Sequence, residues 1–173
     1  NYSIEELLGE TTGLNLSNQI SYATLYLSPS QYHRVHLPIS GTVTKTRYIP
    51  GKRFSVNEAT ASSIRGLYCH NERVITWFKT NAGEMALVLV GALNVSSISI
   101  RWLGEIISGK PKVWDENKNH VRKYKRGEEI GRFNLGSTVI LIMPSDRFFW
   151  HSGLEQGQQV NMAEMIGTVA LAT

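Results

Sequence analysis

A single cysteine, Cys69, stands in 173 residues. One thiol closes no intrachain disulfide and builds no cysteine metal cage, so it leaves the redox compartment open. Long apolar runs are scarce too. The longest largely apolar stretch, Met85 to Val95, falls well short of the roughly 18 residues a membrane-spanning helix requires. Neither GxGxxG nor GxxxxGK[ST] occurs, which removes the glycine-rich cradles that hold nucleotide phosphates. No GxSxG surrounds any candidate serine, which argues against the elbow of an ordinary serine hydrolase. The basic residues are scattered and carry no interleaved aromatic stripe, so nucleic acid is not an expected partner. The chain opens on Asn1, with neither a methionine nor a targeting pattern, as expected of a fragment or a processed product.

What is present is ordinary globular material. A hydrophobic content of 42% and a mean hydropathy of -0.18 in 19.4 kDa suit one domain with one core. Eighteen basic against fourteen acidic residues leave a formal charge of +4. That sign favours anionic partners, nucleic acid or an anionic lipid surface, and charge alone does not choose between them.

The local signals describe a mainly β protein, barrel-like or sandwich-like, with one or two short helices near the N-terminus. Ser3-Ile4-Glu5-Glu6 is a capping box, and Tyr2 can staple onto Leu7, so a short helix is expected to end at Gly9. Ile20 to Leu27 has strand chemistry. Ser28-Pro29-Ser30-Gln31 starts a helical turn, on which His33 and His36 of Tyr32-His33-Arg34-Val35-His36 would share one face. On a strand they would point to opposite faces. Further strands are expected over Thr42 to Ile49, Val74 to Phe78, Met85 to Ala92 and Val95 to Trp102. Pro50-Gly51 reads as a type II turn, and an irregular segment as running from Phe54 through Asn71. Asp115 to Arg126 reads as an exposed loop or hairpin tip, and Val160 to Val169 as a closing strand. Of Phe148-Phe149-Trp150, at least two should pack into the core, and an interfacial insertion is the other reading. Tyr48-x-x-Gly51-x-x-Phe54 and Tyr124-x-x-Gly127-x-x-Ile130 echo one another, which suggests two similar turns.

Chemistry concentrates on Phe133-Asn134-Leu135-Gly136-Ser137-Thr138. The run Thr138 to Met143 is continuously apolar and rich in β-branched residues, so it reads as a strand buried on both faces, with Ser137 at its mouth. Alone, Ser137 is a turn serine. Beside a histidine it becomes a candidate nucleophile, and His33 and His36 are the histidines placed to meet it. A metal pair on the same histidines would need a third ligand. His70, His120 and His151 stand in no ligand spacing, so no metal is expected.

Five ordered stretches then carry a resemblance: Tyr26 to Pro38 (YLSPSQYHRVHLP), Pro50 to Asn57 (PGKRFSVN), Asn71 to Val74 (NERV), Val90 to Val95 (VGAxxV) and Gly127 to Thr138 (GxEIGRFxLGST). Together they resemble the motifs of phosphatidylserine decarboxylase, a pyruvoyl-dependent lyase. The resemblance implies self-cleavage between Gly136 and Ser137, giving a β chain of residues 1–136 and an α chain of residues 137–173 that stay associated. It implies a pyruvoyl cofactor made from Ser137, with His36 as the base for cleavage and His33 as the proton donor in decarboxylation. It places Tyr32, Phe54, Val56 and Asn57 in substrate binding. The implied partner is an anionic phospholipid at a membrane surface, with peripheral attachment to a bacterial or mitochondrial inner membrane, and a homodimer is possible within the family.

Three departures accompany the resemblance. The family's orienting aspartate, in an upstream PxDG-type motif, is not among these residues, and Asp115 and Asp146 stand in the wrong context to replace it. Gln31 stands where many members have an acidic residue, and Ser96 where a glycine is common. The alternatives are a processing-deficient relative that binds anionic lipid without catalysis and a lipoyl-like carrier module. The carrier would need a modified lysine at a hairpin tip, and the sequence offers no good one.

Overall fold

The computed structural model describes residues 2–9, 20–93, 97–115, 121–134 and 136–170. Helix α1 (Ile4–Leu8) forms as its capping box dictates. Ser3 Oγ accepts from the Glu6 N–H at 3.1 Å, Glu6 Oε2 accepts from the Ser3 N–H at 2.8 Å, and Gly9 ends the helix in the left-handed region. Strands β1 (Ile20–Leu27), β2 (Arg34–His36) and β3 (Gly41–Ile49) precede two short helices, α2 (Glu58–Ser63) and α3 (Leu67–His70). Ten strands follow: β4 (Arg73–Thr80), β5 (Gly83–Val90), β6 (Ile98–Ile100), β7 (Gly104–Ile106), β8 (Lys112–Asp115), β9 (Lys123–Tyr124), β10 (Glu129–Phe133), β11 (Ser137–Pro144), β12 (Phe148–Trp150) and β13 (Gly167–Val169).

These strands build a large antiparallel sheet in the order β1-β11-β5-β4-β3-β8, with β9 also on β3, and a smaller sheet in the order β2-β10-β6-β7. Val35, Ile98, Ile100, Ile130 and Phe133 of the small sheet share one apolar cluster with Val74, Phe78, Leu87, Leu89, Val139 and Leu141 of the large one. The opposite face of the large sheet presents Ile75, Trp77, Val88, Ile140 and Ile142, and Leu7 and Leu8 of α1 cover them. The fold is therefore a β-sandwich with a helix on one outer face. This layering explains the uninterrupted apolar run of β11. Val139, Leu141 and Met143 face the inter-sheet core while Ile140 and Ile142 face α1.

Several local expectations give way to pairing. Tyr32-His33-Arg34-Val35-His36 is not a helical turn. The turn stops at Gln31, whose Oε1 accepts from the Ser28 N–H at 2.8 Å, and the chain then extends into β2. Buried Val35 and the register pairs Arg34↔Arg132, Val35↔Gly131 and His36↔Glu129 hold the extended form. The extended spacing turns His33 and His36 to opposite sides. Helices α2 and α3 lie where an irregular segment was expected. Gly51 has no positive φ and makes no type II turn; a Cβ there would come 2.5 Å from His70 O and 2.6 Å from Glu72 N, so this glycine permits close backbone packing. Gly127 does have a positive φ of 85°, so the two echoing segments form different turns. The expected closing strand shrinks to β13, and residues 151–166 run through turns. Val95, Ser96, His120 and the middle of the charged loop, 116–120, lie outside the described residues. Phe148 is buried, Trp150 donates from Nε1 to Ser21 Oγ at 3.1 Å, and Phe149 is exposed.

Candidate functional site

Ser137 opens β11 opposite Leu27, the last residue of β1, and lies just past the final β5 pair, Thr138↔Val90. It is fully buried, and its Oγ has no hydrogen-bond partner. Thr138 Oγ1 beside it is in the same condition. Gly136 is buried against the turn that follows β1: a Cβ on it would lie 2.9 Å from Leu27 O and 3.0 Å from both Pro29 N and Pro29 Cδ. No larger residue fits that space without moving backbone. The bond between Gly136 and Ser137 is thus held against Leu27 and Pro29, with a hydroxyl at its edge that no neighbour engages. Leu135 lies outside the described residues.

His33 belongs to this neighbourhood. Its Nε2 lies 3.0 Å from Pro29 O, and its own carbonyl accepts from the Phe133 N–H at 3.0 Å, so it is tied to both sides of the segment. A carbonyl only accepts, which puts the imidazole proton on Nε2 and a lone pair on Nδ1. That Nδ1 is buried without a partner. His36 is engaged at both nitrogens. Nδ1 donates to Gly127 O at 2.7 Å, which fixes the tautomer, and Nε2 accepts from Tyr32 Oη at 2.7 Å. Tyr32 stacks on His36 with ring centroids 5.7 Å apart and is about half exposed. The structure therefore ties His33 to Pro29, against which Gly136 also packs, and it holds His36 to Tyr32 and Gly127.

The other expected binding residues fall into a neighbouring segment with visible structural duties. Asn57 caps α2, with Oδ1 accepting from the Thr60 N–H at 3.0 Å. Val56 is buried in the inter-sheet core, and Phe54 packs at its edge under Lys52 Nζ, 5.2 Å from the ring centroid. Sequence reasoning gave no role to the residues that anchor this segment. Asn71 is fully buried; its Oδ1 accepts from the Phe54 N–H, and its Nδ2 donates to Phe54 O and Gly91 O. Glu72 receives Arg53 Nε at 2.6 Å, Ser108 Oγ at 2.7 Å and Tyr48 Oη at 2.9 Å. Arg73 donates to the carbonyls of Leu7, Cys69, Asn71 and Glu6. The available signal was three consecutive polar residues opening an otherwise apolar strand, Asn71-Glu72-Arg73 before Val74 to Phe78. No group of three His, Cys, Asp or Glu side chains among the described residues is placed to hold a metal ion.

A family model described as phosphatidylserine decarboxylase matches residues 1–168. The chain belongs to the phosphatidylserine decarboxylase family. A phosphatidylserine decarboxylase proenzyme of Marinobacter nauticus is 41% identical over 169 residues, which cover 96% of this chain and 59% of that protein. A proenzyme of the same name from Acinetobacter baumannii is 42% identical over 166 residues, covering 96% and 58%. One from Methylococcus capsulatus is 41% identical over 171 residues, covering 96% and 59%. The chain spans a little under three fifths of the length of these relatives. Among the described residues neither aspartate of interest is a hydrogen-bond partner of His33 or His36: Asp115 pairs in register with Lys45, and Asp146 lies 3.6 Å from Arg147. At His36 the orienting contact is a backbone carbonyl, that of Gly127. Gln31, the second departure, closes the turn before His33.

Proposed function

We propose that this chain is the catalytic part of a decarboxylase that cuts itself between Gly136 and Ser137 and then converts phosphatidylserine to phosphatidylethanolamine. Ser137 Oγ attacks the Gly136 carbonyl, and the acyl group passes from nitrogen to oxygen as the peptide C–N bond breaks. Loss of the Ser137 Cα proton then breaks the Cβ–Oγ bond. Gly136 leaves as a carboxylate carrying the former Oγ, and position 137 becomes a dehydroalanine. Water enters and ammonia departs, which leaves an N-terminal pyruvoyl group on residue 137. The observation that carries this reading is the Gly136-Ser137 bond, whose glycine admits no Cβ and whose buried hydroxyl has no competing partner.

The residues present fit such a group. Position 137 would be held between Leu27 and the end of β5, with Thr138 Oγ1 unengaged beside it. When formed, the group supplies an electron sink that lets carbon dioxide leave the serine head group. His36 takes the Ser137 proton, and Tyr32 must release Nε2 for it to do so. His33 returns a proton to the substrate carbon. General acid-base help of this kind is worth about 10²- to 10⁴-fold. One observation favours a second assignment: His33 Nδ1 is buried with no partner among the described residues, whereas both nitrogens of His36 are engaged. The excess of basic residues suits peripheral attachment to an anionic membrane, bacterial or mitochondrial inner membrane by family, and the two cut chains remain together, possible homodimer formation being a further feature of this reading.

Two histidine variants test the division of labour, by denaturing gel for splitting and by release of labelled carbon dioxide from phosphatidylserine for lyase activity. His36→Ala should block splitting. His33→Ala should allow splitting and abolish carbon dioxide release. The reverse pattern for splitting would give the base to His33 and overturn the first assignment.

A further inference from the structure

The outer face of the small sheet carries a cleft of about 270 Å³ that lies outside the cleavage site, lined by Arg101, Arg132, Glu105, Glu129 and Ser99 and floored in part by Gly131. Its charged residues come from β10, from β7 and from the residue that follows β6. Arg34, Arg132, Ser99 and Glu105 lie in one cross-strand row, and Arg101 follows β6 two residues after Ser99. Arg34 and Arg132 are directly opposite one another, an arrangement that costs stability for like charges. Among the described residues it is Arg34 that is neutralised, its Nη1 donating to both oxygens of Glu129 at 2.8 and 2.9 Å. Among the described residues, Arg101, Arg132 and Glu105 have no ion-pair or side-chain hydrogen-bond partner, although all three line the same cleft.

Two free guanidiniums and one free carboxylate make a definite charge pattern. Guanidiniums bind phosphate and carboxylate oxygens with two parallel hydrogen bonds, and a carboxylate accepts from an ammonium. A phosphoserine head group has the complementary set: a phosphodiester, a carboxylate and an ammonium. The volume lies just below the roughly 300 Å³ at which pockets begin to take drug-sized ligands, so the cleft suits a head group with its acyl chains left outside. The Phe133 N–H to His33 carbonyl bond follows directly on Arg132 in β10, which puts the cleft one strand away from the segment that carries His33.

We infer that this cleft is a second, non-catalytic site for the phosphoserine head group, with Arg101 and Arg132 on its two anions and Glu105 on its ammonium. It holds the enzyme on membrane rich in substrate and loses its grip where the carboxylate has been removed. The inference rests on the proposed substrate.

Vesicle binding by the full Ser137→Ala chain tests it, because that variant neither cuts itself nor turns over lipid. The vesicles are phosphatidylcholine doped with phosphatidylserine, phosphatidylglycerol or phosphatidylethanolamine, and soluble glycerophosphoserine and inorganic phosphate serve as competitors. Binding should be strongest to phosphatidylserine, and glycerophosphoserine should compete better than phosphate. Adding Arg101→Gln and Arg132→Gln should weaken phosphatidylserine binding by roughly tenfold. Adding Glu105→Gln should erase the preference for phosphatidylserine over phosphatidylglycerol while leaving anionic vesicles bound. Equal binding to the two anionic lipids, equal competition by phosphate, or unchanged binding in the arginine variant would overturn the site. The same substitutions placed on the unmodified Ser137 chain should leave splitting unaltered, so failure of the cleft and failure of the self-cleaving reading give different results.

Discussion

At Ser137 and His33 two buried atoms have complementary needs. The hydroxyl has a proton and no acceptor, and His33 Nδ1 has a lone pair and no donor, since the ring proton is given to Pro29 O. An unsatisfied buried polar group costs about 1–3 kcal/mol. Ser137→Ala should therefore raise stability by about 1 kcal/mol, read from the denaturant midpoint and compared in a His36→Ala background where both chains stay whole. A loss of that size instead would show that water or a side chain satisfies the hydroxyl. Gly136→Ala should act in the opposite direction. Its Cβ would meet Leu27 O and Pro29 at 2.9–3.0 Å, so backbone must shift, at a cost of about 1–3 kcal/mol and with slower splitting. The glycine, the serine and the histidines could be singled out from the sequence because they are the residue types that the proposed acyl transfer needs. Their partners were not legible: Pro29 O and Gly127 O are backbone atoms, and only the fold determines which carbonyl faces which ring.

Elements are tied together by Asn71, Glu72 and Arg73 at the start of β4. Arg73 is buried yet pairs with no carboxylate among the described residues; four backbone carbonyls of α1, α3 and the following turn receive it, and burial holds its guanidinium below its ordinary pKa. Arg73→Ala should loosen α1, which is only five residues long, and speed amide hydrogen exchange at Leu7, Leu8 and Gly9; unchanged exchange there would show that the apolar contacts of Leu7 and Leu8 suffice. Burial pushes the Glu72 carboxyl up, but hydrogen bonds from Arg53, Ser108 and Tyr48 and the Arg53 charge outweigh it, so the group lies below its ordinary 4.5. A depressed carboxylate contributes stability that is fully present above the unfolded value and is lost as pH falls through the folded one. Stability should therefore drop on acidification below about pH 4.5, and Glu72→Gln should flatten part of that drop. The loss at neutral pH should be about 1–3 kcal/mol, below that of a fully buried pair because Arg53 is partly solvated. The capping box, β1 and β11 could be read from residues alone because each carries a strong local signal. Strand β2 could not: three residues have no period of their own, and pairing with β10 overrides the helix-start signal at Ser28. Gly51 misled for a related reason, since a glycine needed for close packing is spelled like one needed for a turn.

Across the whole molecule, the bond proposed to break leads into a strand paired on both sides and buried on both faces. β11 sits inside the large sheet between β1 and β5, with both faces buried, and it carries the C-terminal part of the chain with it. After cleavage the two pieces should co-purify under native conditions and separate only in denaturant. The sandwich class was visible in the succession of strands and turns. The assignment of strands to two sheets was not, because neighbouring strands in the large sheet, such as β1 and β11, lie more than a hundred residues apart. The central claim is that this chain makes its own reactive terminus at residue 137, and intact mass under denaturing conditions tests it most directly. The chain is measured alone and joined to the part of the Marinobacter nauticus relative that it does not cover. The account predicts two fragments in at least the joined form, one ending at Gly136 and one beginning at residue 137, the latter blocked to N-terminal sequencing and labelled by a carbonyl reagent. A single unmodified chain in both forms would contradict it.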